Sequence, residues 1–181
     1  RVLEPSCGVG NFAGAMPASL LPNVKSLTMV ELDEVTGNIA KALYPNAKVM
    51  VQGFETAVIP DNYMDLAIGN VPFGNYAIFD KAYPKAVTSS IHNYFFAKSI
   101  DKVRPGGVLC FITSRYTMDA RDSSVREYMM QRADLLGAIR LPDTAFKANA
   151  GTDVVTDILV FKKRPAGRPQ YLRCCCPEYP Q

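Results

Sequence analysis

The sequence has no tryptophan, a single histidine and only five cysteines, three of them consecutive. A zinc site needs several histidine or cysteine ligands in tetrahedral geometry, and adjacent cysteines fit neither that geometry nor a disulfide. We therefore expect no metal site, no disulfide framework, and a reducing, cytoplasmic setting. Cys7 and Cys110 lie in apolar contexts and are predicted to be small buried residues.

Long apolar runs and a strong charge of either sign are missing as well. No run approaches the roughly 20 residues that cross a bilayer, so no membrane span or signal peptide is expected. The net charge of +3 is weaker than the basic excess of a dedicated nucleic-acid binder. A composition of 48% hydrophobic and 20% charged residues is that of an ordinary globular domain. Because the chain starts inside a predicted strand, we expect a piece of a longer protein.

Strand-like and helix-like segments alternate along most of the chain. Residues 34–43 have helical periodicity, with Val35, Ile39, Ala42 and Leu43 on one face. This alternation predicts an α/β, doubly wound, mostly parallel sheet with helices on both faces. Residues 136–141 and 157–161 are predicted strands joined only by a loop, which indicates an antiparallel strand at or near one edge. Residues 1–164 are predicted to form the domain, and 165–181 a tail or linker.

The first special turn, residues 4–12, follows the first predicted strand with the sequence Glu-Pro-Ser-Cys-Gly-Val-Gly-Asn-Phe. Gly8 and Gly10 let the backbone turn sharply and approach a ligand. The dinucleotide fingerprint Gly-x-Gly-x-x-Gly is absent, because position 13 is alanine. Glu4 would repel a pyrophosphate and suits a cationic ligand, such as a sulfonium with an ammonium group. The alternative role of Glu4 is an ion pair with a lysine.

Glu31 ends the second predicted strand, about 20 residues after the glycine turn, where an acidic residue can accept hydrogen bonds from two ribose hydroxyls. Its alternative role is to cap the helix that begins near residue 34. A second special turn follows the strand at 64–69 and reads Asn-Val-Pro-Phe-Gly over residues 70–74. In doubly wound sheets ligands bind beyond the carboxyl ends of strands, which is where both turns lie.

Residues 4–12 resemble the cofactor motif of class I S-adenosylmethionine-dependent methyltransferases. With the Asn-x-Pro-Phe tetrad downstream, the chain resembles adenine-N6 DNA methyltransferases, in particular methylase domains found with helicase-like proteins of bacterial mobile elements and phages. Further similar stretches lie at 91–98, 104–107, 111–115 and 137–142, so the likeness covers residues 1–164. It implies a Rossmann-like methyltransferase fold, S-adenosylmethionine as cofactor, and methylation of the N6 amine of adenine in DNA, as in restriction-modification.

The resemblance also implies roles for individual residues. The side-chain oxygen of Asn70 and a backbone carbonyl of Val71 or Pro72 would accept the two N–H groups of a flipped-out adenine, and Phe73 would stack on the base. Candidate catalytic residues are Asn70, Val71, Pro72 and Phe73. Candidate substrate residues are Phe73, Gly74, Tyr76 and Phe79. Candidate cofactor residues are Glu4, Pro5, Ser6, Cys7, Gly8, Gly10, Asn11, Phe12, Glu31, Leu32, Phe54, Glu55 and Asn70.

Two departures from the family pattern stand out. Val71 occupies a position that is usually proline. This change leaves the backbone carbonyl of residue 71 available as an acceptor. The turn at 52–55 lacks the aspartate often used to bind the adenine of the cofactor, and we expect Phe54 and Glu55 to take its place. His92, at the start of a predicted helix, is interpreted as a structural hydrogen-bonding residue.

Other functions use the same tetrad and remain alternatives. Methyltransferases of protein glutamine and of guanine N2 in ribosomal RNA also present a planar nitrogen to an acceptor pair. A non-catalytic module that binds cofactor or nucleic acid within a larger polypeptide is a further alternative. DNA is the expected partner, and helicase or target-recognition segments are expected elsewhere in the parent protein.

Overall fold

The computed structural model describes residues 1–74, 76–146 and 154–165. Its strands are β1 (Val2–Glu4), β2 (Leu27–Glu31), β3 (Lys48–Val51), β4 (Met64–Asn70), β5 (Val103–Ser114), β6 (Ala133–Arg140) and β7 (Thr156–Lys163). Its helices are α1 (Asn11–Gly14), α2 (Glu34–Leu43), α3 (Lys85–Thr88), α4 (Ile91–Lys102), α5 (Tyr116–Asp119) and α6 (Ser124–Met130). Over these ranges, none of the helices has the length and hydropathy of a bilayer-crossing segment.

The strands form one sheet in the order β3-β2-β1-β4-β5-β7-β6. Strands β1 to β5 pair in parallel, and β7 runs antiparallel to both of its neighbours, β5 and β6. The predicted fold, including the antiparallel strand near one edge, is confirmed. The chain runs outward from β1 to β3 and then returns to β4, so the topological switch point lies between β1 and β4. A crevice beyond the carboxyl ends of strands at such a point is the usual ligand site of these sheets.

Helix α4 is the central packing element. Nine of its residues are buried, including the polar His92, Lys98 and Ser99. The ring of Phe96 meets Phe111 of β5 and Phe161 of β7 edge-on, with centroid distances of 5.2 and 5.7 Å. Aromatic pairs in this geometry add roughly 0.5–1.5 kcal/mol beyond the area they bury. The start of α4 lies beside the second special turn, where the Ser90 hydroxyl donates to the Gly74 carbonyl at 3.5 Å.

Helix α2 forms where its periodicity predicts, but its apolar face is not buried. Val35, Ile39 and Leu43 are 70%, 44% and 58% exposed. The helix packs instead through Gly37 and Ala40, and a β-carbon on Gly37 would lie 2.9 Å from a methyl group of Val51. Small residues let the helix axis approach the sheet closely, and the larger apolar side chains then face away from it.

Two elements occupy stretches whose sequence is typical of turns and loops. Strand β5 begins at Val103, directly after α4, so residues 104–107 belong to the strand. Gly107 permits this, because a β-carbon there would lie 2.8 Å from the backbone oxygen of Asp65 in the neighbouring strand. The stretch at 76–89, which is rich in aromatic and charged residues, contains α3. Cys7 is buried and Cys110 half-buried. Residues 166–181 of the predicted tail lie outside the described residues.

Candidate functional site

The glycine turn closes directly after β1. The Cys7 amide donates to the Val30 carbonyl at 2.9 Å, and the Gly10 amide donates to the Cys7 carbonyl at 2.8 Å. Gly8 and Gly10 have φ values of +56° and +88°, the left-handed region that glycine enters without steric cost. A β-carbon on Gly10 would collide with the ring of Tyr44, whereas one on Gly8 would meet nothing within 4 Å. The Tyr44 hydroxyl donates to the Gly10 carbonyl at 2.7 Å and holds the turn against α2.

A cavity of about 460 Å³ lies beyond the carboxyl ends of β1 to β4. We call it the first cavity. Fourteen of the sequence-predicted residues line it: Glu4, Pro5, Ser6, Cys7, Gly8, Asn11, Phe12, Glu31, Leu32, Phe54, Glu55, Asn70, Pro72 and Tyr76. Gly10 is not a lining residue, and its carbonyl accepts from the Tyr44 hydroxyl. The lining also includes residues that were not predicted: Gln52, Gly53, Ile78, Ile91 and Phe95.

Glu4 lies at the base of the glycine turn and is 1% exposed. Its Oε1 atom has no hydrogen-bond partner among the residues described here. Burial raises the pKa of this carboxyl to about 7, and the backbone N–H groups of Phe12 and Ala13 lower it by a smaller amount. A buried carboxylate with a vacant acceptor is stabilised by a cation. The predicted alternative, a lysine partner, is not found within the described chain.

The neighbouring Cys7 thiol is inert. Burial, with further contributions from the carboxylates of Glu4 and Glu31, raises its pKa to about 12. Because only the thiolate is a strong nucleophile, Cys7 is excluded as an attacking group near neutral pH.

Both oxygens of Glu31 contact the backbone of adjacent turns. Oε2 accepts from the Gly8 amide at 2.8 Å, and Oε1 accepts from the Asp33 amide at 2.9 Å. The alternative that Glu31 caps α2 is wrong, because Asp33 is the cap and accepts from the Thr36 amide at 2.7 Å. Each carboxylate oxygen has a second lone pair, so Glu31 can still accept from a ligand in the first cavity.

The second special turn lies against the first. The Ser6 hydroxyl donates to the backbone carbonyl of Asn70 at 2.9 Å. The Val71 amide donates to the Ile112 carbonyl at 3.1 Å, and the Val71 side chain is buried in the core. Asn70 is exposed and lines the first cavity together with Pro72. Across the described residues, no donor occupies the carbonyl of Val71 or Pro72. The tetrad therefore presents an amide side chain and free main-chain acceptors beside the glycine turn.

A second cavity, of about 570 Å³, borders the other part of this turn. We call it the second cavity. It is lined by Phe73, Gly74, Ser90, His92, Asn93, Ser114, Tyr116 and Ala120. The four predicted substrate residues are therefore separated: Phe73 and Gly74 line the second cavity, Tyr76 lines the first, and Phe79 is 81% exposed on the surface.

His92 is 6% exposed, and its ring nitrogens Nδ1 and Nε2 lie 2.9 and 3.1 Å from the Ser90 hydroxyl. Burial lowers the pKa of His92, so the imidazole is neutral near pH 7. The polar residues of the second cavity were missed by sequence reasoning as a group. The only signal was that they fall in, or next to, the stretches 91–98 and 111–115, which resemble the family.

Lys98 joins two walls of the first cavity. Its ammonium group donates to the Glu55 carbonyl at 2.8 Å and lies 3.5 Å from Oδ2 of Asp80. Asp80 also accepts from the Tyr94 hydroxyl at 2.6 Å and from the Ala82 amide at 2.9 Å. Lys98 thus connects the turn after β3 to the loop that follows the tetrad. It was not predicted, because a lysine in a helical pattern is usually solvated.

Comparison with known proteins gives a consistent result. The sequence profile of the Eco57I restriction-modification methylase family matches residues 26–146. A curated relative, the Defense against restriction protein B of Escherichia phage P1, is 34% identical over 172 residues, which are 92% of this chain and 7% of the relative. This chain therefore spans only a small part of the phage protein.

Solved structures share the fold. A class I S-adenosylmethionine-dependent methyltransferase from Listeria monocytogenes superposes with a TM-score of 0.76 at 21% identity, covering 93% of this chain and 55% of that one. The methyltransferase subunit of a type I restriction-modification system from Streptococcus thermophilus superposes with a TM-score of 0.73 at 16% identity, covering 91% of this chain and 40% of the subunit.

Proposed function

Because this chain belongs to the Eco57I restriction-modification methylase family, we propose that it transfers a methyl group from S-adenosylmethionine to the N6 amine of adenine in DNA. The observation that carries this proposal is the contact between the Ser6 hydroxyl and the Asn70 carbonyl. It holds the glycine turn and the tetrad at one cavity, so a cofactor bound by the first lies beside the acceptors of the second.

The first cavity fits the cofactor in charge and shape. S-adenosylmethionine carries a sulfonium and an ammonium group and supplies an electrophilic methyl carbon. The buried Oε1 of Glu4, which has no partner in the described chain, is suited to a cation. Gly8 leaves open space where a side chain would intrude. Glu31 offers lone pairs for ribose hydroxyls, and Phe54 offers a ring wall for the adenine. Catalysis then depends on alignment within this cavity.

The tetrad activates the amine. An exocyclic adenine nitrogen is a poor nucleophile, because its lone pair is delocalised into the ring. Oδ1 of Asn70 and the carbonyl of Val71 or Pro72 accept the two N–H groups, which localises that lone pair. The nitrogen forms a bond to the methyl carbon as the carbon–sulfur bond breaks, and the bonding pair stays on sulfur. One amine proton then passes to water.

DNA and other segments of the parent polypeptide are the proposed partners. The chain covers 7% of the phage relative, and we assign target recognition and any helicase activity to regions outside it. Residues 1–164 act as the methyltransferase unit, and the setting is the cytoplasm, where the DNA is.

The test is tritiated methyl transfer by the chain, and by the longer parent, onto unmethylated plasmid DNA, release-factor protein and ribosomal RNA. N6-methyladenine in digested DNA is the expected product. Asn70→Ala should lower the rate on the order of 10²–10³-fold, and Asn46→Ala, at an exposed turn residue that lines neither cavity, should not. Label on glutamine or on guanine N2, or cofactor binding by the parent without transfer, would replace the proposal with one of its alternatives.

A further inference from the structure

One side of the sheet is apolar over β4, β5 and β7, and the described residues leave it without a helix. In β5, Leu109 and Phe111 are fully buried on the side where α4 packs, since the Phe96 ring meets Phe111. Alternate residues of the strand point to the opposite side, where they are only half-buried. The strand register continues this second row into the adjacent strands. We call it the open face, and its seven residues are Leu66, Ile68, Val108, Cys110, Ile112, Ile158 and Val160.

The open face is separate from the core of the described chain. None of its seven side chains belongs to either of the two clusters of buried side chains. Ile139 of β6 is in register with Ile158 and is 59% exposed, so the apolar surface extends to the sheet edge. Gly137 is in register with Val160, and a β-carbon on Gly137 would meet nothing within 4 Å. The space above these strands is therefore open.

The neighbouring part of the same side is covered. Helix α2 lies over β2 and β3, and the register places Val51, which Gly37 approaches, on the side of the open face. A groove with a volume of about 830 Å³ borders the open face at β4. Its apolar lining residues are Val2, Met16, Leu20, Val24 and Leu66, and its polar ones include Lys25 and Asp65. A segment with one apolar stripe and polar flanks fits such a surface.

The missing cover is expected to be a helix. Sheets that are mainly parallel occur almost only with helices over both faces, and here α4 covers one face and α2 part of the other. Large exposed apolar patches mark interaction surfaces. The open face joins three strands and continues at its edge into β6, so it is broader than the contact of a single side chain.

The length of polypeptide outside this chain favours an occupant from the same protein. The chain covers 7% of its phage relative. A segment tethered by a short flexible linker has an effective concentration of roughly millimolar, whereas a second copy must associate at its bulk concentration and loses more translational and rotational freedom. A tethered helix therefore occupies the open face in preference to a second copy.

From these observations we propose that an amphipathic helix of the parent polypeptide, from outside residues 1–181, packs its apolar stripe on the open face and in the groove beside it. Cys110 lies within this face, with Ile68 and Val160 in register on either side. Its thiol is therefore accessible in the isolated chain and covered in the parent. The proposal needs the parent polypeptide but not the proposed reaction, so a failure of methyl transfer does not affect it.

The first experiment measures alkylation of Cys110 by N-ethylmaleimide in the native isolated chain and in the native parent, by mass spectrometry of the peptide that contains it. Both proteins are labelled at one pH, because burial raises the pKa of this thiol. Cys110 should react at least tenfold faster in the isolated chain. Cys7, which is buried, should react slowly in both proteins and reports any general unfolding.

The second experiment places a charge on the open face. Val160→Lys, made in both proteins, should prevent docking, so that the tenfold ratio of Cys110 labelling between chain and parent disappears. Val58→Lys is the matched control, because Val58 is 81% exposed and is not part of the open face. It should leave the ratio unchanged. If Val160→Lys fails to fold, the labelling of the wild-type proteins still decides the proposal.

The third experiment identifies the occupant. The parent carries photoreactive benzoylphenylalanine in place of Ile139, at the rim of the open face. Its cross-link should reach a segment outside residues 1–181 with apolar side chains at the i, i+3, i+4 and i+7 spacing of an amphipathic helix. A cross-link within residues 1–181, or to a second copy, contradicts the proposal. So does equal Cys110 labelling in the wild-type chain and parent, or a tenfold ratio that persists in Val160→Lys.

Discussion

The two cavities beside the tetrad are built in different ways. The first is assembled from backbone turns at the carboxyl ends of four adjacent parallel strands. Its central residues come from one continuous run, 4–12, and from the ends of the strands beside it. The second is assembled from side chains at 73–74, 90–93 and 114–120, which are brought together by the packing of α4 against β5. A site made of turns can be identified from sequence, whereas a site made of packed side chains needs the tertiary structure.

The two cavities also differ in the charge of their lining residues. Carboxylates of Glu4, Glu31 and Glu55 line the first cavity, but no charged group is found among the described lining residues of the second. In the proposed reaction the first cavity holds a cationic methyl donor, whereas the amine that receives the methyl group is neutral. The tetrad lines parts of both cavities, and it contributes acceptors rather than charge.

The largest effect on stability is expected in the glycine turn that borders the first cavity. Gly10→Ala introduces a β-carbon that collides with the Tyr44 ring, at a φ of +88°. Overpacking costs roughly 1–3 kcal/mol and a left-handed non-glycine residue roughly 1–2 kcal/mol. We expect the free energy of unfolding to fall by about 3 kcal/mol, measured by urea denaturation.

Gly8→Ala is the matched variant for Gly10→Ala. Its φ is +56°, but its β-carbon would meet nothing within 4 Å. Only the conformational cost of roughly 1–2 kcal/mol applies, and the methyl group enters the space assigned to the cofactor. We expect a smaller loss of stability and a larger loss of cofactor affinity than in Gly10→Ala. Equal stability losses in the two variants would show that steric contact with Tyr44 does not matter.

The sequence predicts the backbone of the site better than its side chains. The glycine turn and the ends of β1, β2 and β4 are local features, because each depends on a few neighbouring residues. The apolar stripe of α2 does not mark its buried side, because Gly37 and Ala40 decide how closely the helix packs. Asn93 and Ser114 could not be identified as neighbours, because they lie on a helix and a strand that meet only in the folded chain.

The substrate residues illustrate the same limit. Tyr76 and Phe79 were grouped with Phe73 because they follow it in sequence and are aromatic. Tyr76 nevertheless lines the first cavity and Phe79 lies on the surface, whereas Phe73 lines the second cavity. Sequence proximity therefore predicted the tetrad itself but not the neighbours of its aromatic ring.

A pH experiment tests the contrast in charge between the cavities. The pKa of Glu4 rises from 4.5 to about 7 on folding, so the native state binds a proton that the unfolded state has lost between these values. The free energy of unfolding should fall by about 3 kcal/mol as pH rises from 4.5 to 7. Above pH 7 it should level off. Cys7, with a pKa of about 12, does not titrate in this range.

Cofactor binding should have the opposite pH dependence. A cationic ligand favours the ionised carboxylate, so its affinity should rise with pH up to about 7 and be constant above it. Calorimetry in buffers of different ionisation enthalpy would detect the proton released on binding. Glu4→Gln should abolish both this release and the pH dependence of stability. Proton release that persists in the variant would mean that another group carries it.

A smaller effect than that of Gly10→Ala is expected at Lys98, which links two walls of the first cavity. Lys98→Met removes the donor of the Glu55 carbonyl and the cation beside Asp80. A buried acceptor left without its partner costs roughly 1–3 kcal/mol, so we expect a loss of about 2 kcal/mol in the free energy of unfolding. Because Lys98 joins the walls that carry Phe54 and Tyr76, the cofactor Kd should also rise several-fold at a temperature far below the melting point.

Lys102→Met is the control for Lys98→Met. It lies one turn later on α4 and pairs with Asp61, whose side chain is 64% exposed. Ion pairs with exposed partners contribute roughly 0–1 kcal/mol, and neither residue lines the first cavity. The control should therefore lose little stability and no cofactor affinity. A Lys98→Met protein that loses stability while its cofactor Kd stays at the wild-type value would mean that the two walls hold their positions without this link.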